Sequence, residues 1–391
     1  MNTIDIDKVR EETPVCETLL HFNNAGSSLM PTPVFNAVID HLHLEQKIGG
    51  YEAHAQAMEE VNAFYTEFAS LLNASADEIA FIENATRAWD MAFYSLPLQS
   101  GDRILTHESE YVSNYLALLQ QAERRNLHID LVPSDEHGQI DLVELQNKIT
   151  DRTRVIALTH IPTQGGLINP AEAVGEIARS AGLIYLLDAC QSAGQIQLDV
   201  EKIQCDLLSG TGRKFLRGPR GTGFLYVRKQ FLQQLDPPFV DLHSADWSRD
   251  DGFEFKPGAI RFENWESFYA GRIGLMQAVR YANNLGLQAI EKRTIELGRQ
   301  LRAALNSMAR VTTVDLGERR CGIVTFIKEG VTANAMKESL SQRGMNVSVA
   351  SFTSARLDFS RRNLADVTRA SVHYFNTVDE INRFVEAVDS V

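Results

Sequence analysis

Up to about residue 265 the chain alternates short apolar runs with stretches whose apolar residues recur at helical spacing. The runs predict strands at Glu78 to Ile82, Arg103 to Thr106, Ile129 to Val132, Val155 to Thr159, Leu183 to Leu187 and Gly223 to Val227, with helices between them. Strands apolar on both faces cannot border water, so the pattern predicts an α/β unit with a mainly parallel sheet covered by helices on both sides. Asp141 with Glu144 reads as a capping box, and Asn169, Pro170 and Gly182 as the cap, first-turn proline and stop of a helix.

The pattern changes after that. From Gly271 to about Met308 the spacing is that of one long helix or two abutting ones. A smaller α+β unit follows, with strands at Val311 to Val314, Ile323 to Ile327, Met345 to Val349 and Ala370 to Tyr374. A helix is expected from Thr332 to near Gly344, and Thr377 with Glu380 forms a capping box for the last one. The expected domains are residues 22–270, and 271–391 with residues 1–21 packed on them.

The 391 residues carry a net charge of −13, which argues against nucleic acid as a partner. No apolar run approaches the roughly 20 residues of a membrane span. The start, MNTIDIDKVREETP, is acidic where a secretory signal is basic and then apolar, so a cytoplasmic protein is expected. Cys16, Cys190, Cys205 and Cys321 show no zinc spacing and read as buried thiols. His41, His43 and His54 complete no metal-ligand set and read as solvated helix histidines. Glu318, Arg319 and Arg320, and the pair Arg361 and Arg362, read as exposed loop charges, although Arg356 to Arg362 could approach an anionic substrate tail.

Two segments carry chemistry. The strand ending in Asp188-Ala-Cys-Gln191 places an acid at the carboxyl end of a parallel strand, where ligands of open sheets gather. Taken alone, Asp188 reads as a salt bridge or cap. The stretch from Leu207 to Gly223 then sets Lys214 amid glycines, with Thr211 and Arg213 as phosphate donors. It does not spell GxxxxGK followed by Ser or Thr, nor GxGxxG, so both nucleotide readings fall away. A lysine on the turn after a strand-end acid suits pyridoxal phosphate: the amine carries the aldehyde as a Schiff base and the acid keeps the pyridine nitrogen protonated. Asn84, Ala85 and Thr86 run from a strand into a helix, and such a start offers free N–H groups to a phosphate, or is simply capped.

Together these residues resemble the fold-type I pyridoxal phosphate enzymes of aminotransferase class V, which include cysteine desulfurases and isopenicillin N epimerase-like proteins. The resemblance runs from His21-Phe-Asn-Asn-Ala25-Gly26 through Thr159 to Gly166, Asp188 to Gln191 and the Lys214 turn to Arg369 to Thr377. It implies a seven-stranded type of sheet, Lys214 as the cofactor-bearing and proton-moving catalytic residue, and Asp188 on the pyridine nitrogen. It further implies Gln191 on the ring hydroxyl, Ala85, Thr86, Thr211 and Arg213 on the phosphate, and Tyr111 stacked on the ring. Thr163 matches the cofactor-binding position where desulfurases usually have asparagine. Asn24 and Ala25 are implied near the substrate, and Arg369 on its carboxylate. A homodimer is implied, with Lys256 to Glu266, and Arg261 to Glu266 within it, reaching the neighbouring site.

Met345 to Thr368, where the resemblance places the desulfurase cysteine, contains none. The expected activity is therefore a carbon–sulfur β-lyase acting on a cysteine conjugate or cysteine sulfoxide, with His21, His160 or Tyr374 as candidates to protonate the leaving sulfur. Transamination and Cα epimerisation are the alternatives, and a non-catalytic ligand-binding protein on the same fold is the alternative of another class.

Overall fold

The computed structural model describes residues 4–391, so residues 1–3 of the expected N-terminal segment lie outside it. Seven strands form one sheet: β1 (Ile79–Ile82), β2 (Arg103–His107), β3 (His128–Val132), β4 (Thr153–Thr159), β5 (Ile184–Asp188), β6 (Leu207–Thr211) and β7 (Gly223–Val227). Their spatial order is β1-β7-β6-β5-β4-β2-β3. The run from β6 to β3 is parallel, and β7 lies antiparallel between β6 and β1. Both faces are dry: Ile156, Leu158, Leu187 and Leu208 enter one core layer, while Val155, Ala157, Leu186 and Leu207 enter the other. Each large side chain so buried contributes about 1.5–3 kcal/mol, which makes a helical layer on each side obligatory.

Strand β6 is a correction, since Leu207 to Thr211 had been expected to belong to the glycine-rich turn. Ser209, Gly210 and Thr211 hide the strand's periodicity, yet all five residues are buried. Gly210 makes room for the Phe224 ring of β7, which a Cβ there would overlap.

A second sheet is antiparallel, in the order β8-β9-β11-β10, from β8 (Val311–Thr313), β9 (Ile323–Lys328), β10 (Ser348–Ala350) and β11 (Val367–Ser371). The last strand begins three residues before the expected Ala370, and Arg369 pairs with Thr325 and Ser348 across it. Tyr374 and Phe375 are apolar for another reason: they pack with Val9, Cys16, Ala282 and Ile290. The run expected from Met345 to Val349 is divided, because Met345–Asn346 pairs in parallel with Leu20–His21 while Ser348–Ala350 joins β11. Helices Tyr269–Leu285 and Leu287–Asn306 abut at Gly286, whose φ of +88° breaks the run.

The Thr377 and Glu380 capping box forms in full. At Asp141 only half of the box forms, because Glu144 accepts from Asn147 instead. Asn169 caps nothing: its amide joins Ile140 N at 3.0 Å to Thr159 O at 2.8 Å, and Pro170 takes the cap position. His41 is buried beside Glu45 rather than solvated. Arg356–Arg361 is a short helix rather than a loop, with Arg361 bonded to Glu108. Among the described residues no helix is long and apolar enough to cross a membrane.

Candidate active site

The carboxyl ends of β5 and β6 open onto one cavity. Seven expected residues line it together: Ala85, Thr86, Tyr111, Asp188, Thr211, Arg213 and Lys214. Lys214 lies on the turn after β6, buried, with Nζ 5.9 Å from the centre of the Tyr111 ring. Burial lowers its pKa, which favours the neutral amine a nucleophile needs. Asp188 ends β5, where its Oδ1 accepts from Cys190 N at 2.8 Å and its Oδ2 from Asn114 Nδ2 at 2.8 Å.

The turn is anchored from outside the cavity. Arg217, buried at φ +61°, donates to Leu29 O, Tyr374 Oη and Thr13 Oγ1, and its N–H closes on Lys214 O at 2.9 Å. The N-terminal segment thereby holds the lysine turn in place.

Helix Ala85–Tyr94 points its start at the same cavity. Asn84 accepts from Arg87 N at 3.0 Å, leaving the N–H groups of Ala85 and Thr86 without helical partners. Glycine at 223 permits this approach, because a Cβ there would stand 3.1 Å from Ala85 N and 2.7 Å from Gly210 O. Free N–H groups, two threonine hydroxyls and the Arg213 guanidinium form a donor set suited to a phosphate dianion.

Beside the cavity a second group carries the other expected residues. Arg369 donates from Nη1 to Thr163 O at 2.8 Å and to Thr163 Oγ1 at 2.7 Å, while its buried Nε has no partner. Burial pushes its pKa down to about 10, which still leaves it cationic at neutral pH. Gln191 donates to Ala25 O and Thr163 Oγ1, and its buried Oε1 is unpartnered. Arg213, bonded to Gly26 O, joins the two groups. Asn24 is turned elsewhere: its amide donates to Ser371 O and accepts from Ser28 Oγ, so the side chain is spent on the scaffold.

The family model for aminotransferase class V matches residues 20–384. The chain belongs to this family. Class V enzymes work with pyridoxal phosphate, and the unpaired lysine, the strand-end acid and the phosphate donor set fit that group. A probable cysteine desulfurase of Methanothermobacter thermautotrophicus is 26% identical over 98% of both chains. The apo structure of a cysteine desulfurase from Thermococcus onnurineus NA1 superposes with a TM-score of 0.93 at 26% identity, covering 100% of this chain and 99% of that one. A cystine C–S lyase, solved with its product cysteine persulfide, shares the fold at a TM-score of 0.87 and 21% identity, over 96% and 99% of the two chains.

Of the residues expected to protonate a leaving group, none lines the cavity of this class V enzyme. His21 is held through both ring nitrogens, by Ser27 O and Asn346 Nδ2, and burial pushes its pKa down to about 4. Burial likewise takes His160 down to about 3. The Tyr374 hydroxyl accepts from Arg217. Asn84, read from the sequence as part of a helix start, Cys190, read as a buried thiol, and Asn114, which the sequence did not single out, line the cavity instead. The i, i+4 spacing of Glu110 and Asn114 was the available signal for Asn114. Within Arg261 to Glu266, Arg261 and Glu263 turn inward to Leu232 O and Arg272, and Asn264, Trp265 and Glu266 stay exposed.

Proposed function

We propose that this class V enzyme is a carbon–sulfur β-lyase acting on cysteine conjugates or cysteine sulfoxides, without a sulfur relay on its own thiols. The observation that carries the reading is the state of the four cysteines. All are buried. Burial pushes Cys16 up to about 11 and Cys321 up to about 12, and drives Cys190 and Cys205 higher still. None lies between Met345 and Thr368. A relay needs a mobile thiolate, and this set supports none. The relatives named cysteine desulfurases support sulfur chemistry at Cβ of a cysteine derivative.

Pyridoxal phosphate, when bound, supplies an electron sink for charge developing at Cα. Lys214 would hold it, Asp188 would face its ring nitrogen, and the Ala85, Thr86, Thr211 and Arg213 donors would seat its phosphate. Arg369 would bind the substrate carboxylate with the edge that Thr163 leaves free. Lys214 removes the Cα proton and passes it to the departing sulfur, since no histidine reaches the cavity. The bond that breaks is Cβ–S, and its electron pair leaves on sulfur. For a thioether conjugate the balance is substrate plus water giving pyruvate, ammonium and the free thiol.

The test is to incubate the holoenzyme with a cysteine S-conjugate and measure pyruvate and ammonia together. Equal amounts of both, matching the thiol released, support the lyase. Conversion to the pyridoxamine form without ammonia would replace it with transamination, and loss of optical activity without pyruvate would replace it with epimerisation.

A further inference from the structure

Beneath the cavity wall lies a carboxylate that the reading above does not use. Glu110 is 5% exposed and makes no ion pair among the described residues. Its Oε1 accepts from Tyr111 N at 2.9 Å, from Asn114 Nδ2 at 2.9 Å and from Thr159 Oγ1, and its Oε2 accepts from Thr106 Oγ1 at 3.1 Å. The Asn114 nitrogen that serves Glu110 also donates to Asp188 Oδ2 at 2.8 Å. One buried acid thus touches both the residue beside the lysine amine and, through a single amide, the acid at the end of β5.

From this geometry we infer that Glu110 is a positioning residue, which sets Tyr111 and, through Asn114, Asp188 in the orientations that grip the cofactor ring. The inference rests on the pyridoxal phosphate reading and deepens it. A carboxylate with no cation is a poor choice for stability alone, because its burial is disfavoured and its pKa is raised for that reason. What the arrangement supplies is acceptance without donation: three donors converge on Oε1 from β4 and from two points at the start of helix Val112–Arg125. An amide in its place would keep one oxygen for those three donors but lose the charge that strengthens their bonds, and its NH2 would face Thr106 Oγ1, whose hydroxyl now donates. Asn114 is placed by the same logic, since both Nδ2 protons are claimed and its orientation has no freedom left. Asp188 keeps its Oδ1 on Cys190 N, so Asn114 is the second of two restraints on its carboxylate plane.

The experiment compares wild type, Glu110→Gln, Asn114→Leu and the double variant, each purified without cofactor and titrated with pyridoxal phosphate. Three quantities are read: the apparent dissociation constant, the visible circular dichroism band that reports ring orientation, and the melting temperature of the apo protein. Glu110→Gln and Asn114→Leu are each expected to weaken binding at least tenfold and to alter the band. The double variant should do little more than either alone, because the two act in one chain. Asp206→Asn is the comparison for loss of a half-buried acid acceptor: Asp206 accepts from Tyr185 N at the other end of β5, and its replacement should lower the melting temperature while leaving band and affinity unchanged. If Glu110→Gln melts lower but keeps the wild-type band and affinity, its role is structural and the inference is overturned. Should Glu110→Gln fail to fold, an unchanged band in Asn114→Leu overturns it equally. If wild type itself takes up no pyridoxal phosphate, the functional reading fails instead.

Discussion

Buried charge is handled in two ways in this molecule. In the scaffold it is paired directly: Arg302 meets Asp315 at 2.7 Å and Arg272 meets Glu263 at 3.2 Å, all four side chains nearly inaccessible. In the cavity Lys214 and Asp188, beside it Arg369 and beneath its wall Glu110 are also buried, yet none makes an ion pair among the described residues; hydroxyls, amides and backbone groups serve three of them instead. A paired charge has already used its field, whereas an unpaired one keeps it for a ligand. The scaffold therefore spends its ions on itself, and the site holds its own in reserve.

Breaking each side of that contrast should give different readouts. The largest effect is expected for Lys214→Ala, which removes the reserved amine: turnover should fall by about a thousandfold or more and the Schiff-base absorbance should vanish, with little change in melting. Arg302→Ala should do the opposite, costing about 3–5 kcal/mol in denaturant unfolding because Asp315 is left buried and unpaired, while the cofactor spectrum persists.

Two histidines sharpen the comparison, being buried titratable groups with no anion to hold a charge. His107 and His160 are both pushed down to about 3 by burial. Their folded values lie below the unfolded value of about 6.5, so the unfolded state binds more protons in between. Their contribution is therefore complete above about pH 6.5 and is lost as pH falls toward 3. The slope is up to about 1.4 kcal/mol per pH unit for each, to be measured by urea unfolding across pH 7 to 5.

A smaller effect is expected for Arg369→Lys, which keeps the charge and loses the fork: KM for the amino acid should rise about 10–100-fold with melting almost unchanged. The smallest is Thr377→Ala, which removes half of a completed cap in the scaffold, lowers stability by about 1 kcal/mol and leaves kinetics alone.

The parts that could be read from residue order are those set by neighbours in the chain. Two-faced apolar runs predicted β2, β4, β5 and β7 to within two residues at each end, because burial on both sides leaves a local signature. Strand β6 escaped because Gly210 answers to the Phe224 ring and Ser209 is a buried polar residue, so neither follows an apolar period. Asn169 misled for a similar reason: it precedes a proline and a helix, yet its amide serves Ile140 and Thr159. Lys214, Asp188 and the Ala85 and Thr86 helix start could be nominated only in combination, since Asp188 alone reads as a salt bridge or cap and the helix start as simply capped; the structure brings all of them to one cavity.

The sequence by itself determined the layered α/β architecture and the chemical groups available, since apolar periodicity and residue type are local properties. Only the tertiary structure decided which polar groups meet: Arg369 with Thr163, Arg217 with the N-terminal segment, and Glu110 with Asp188 through Asn114. Hydrogen bonds reach about 3 Å, and partners tens to hundreds of residues apart come within that reach only when parallel strands gather their carboxyl ends and the second sheet closes beside them.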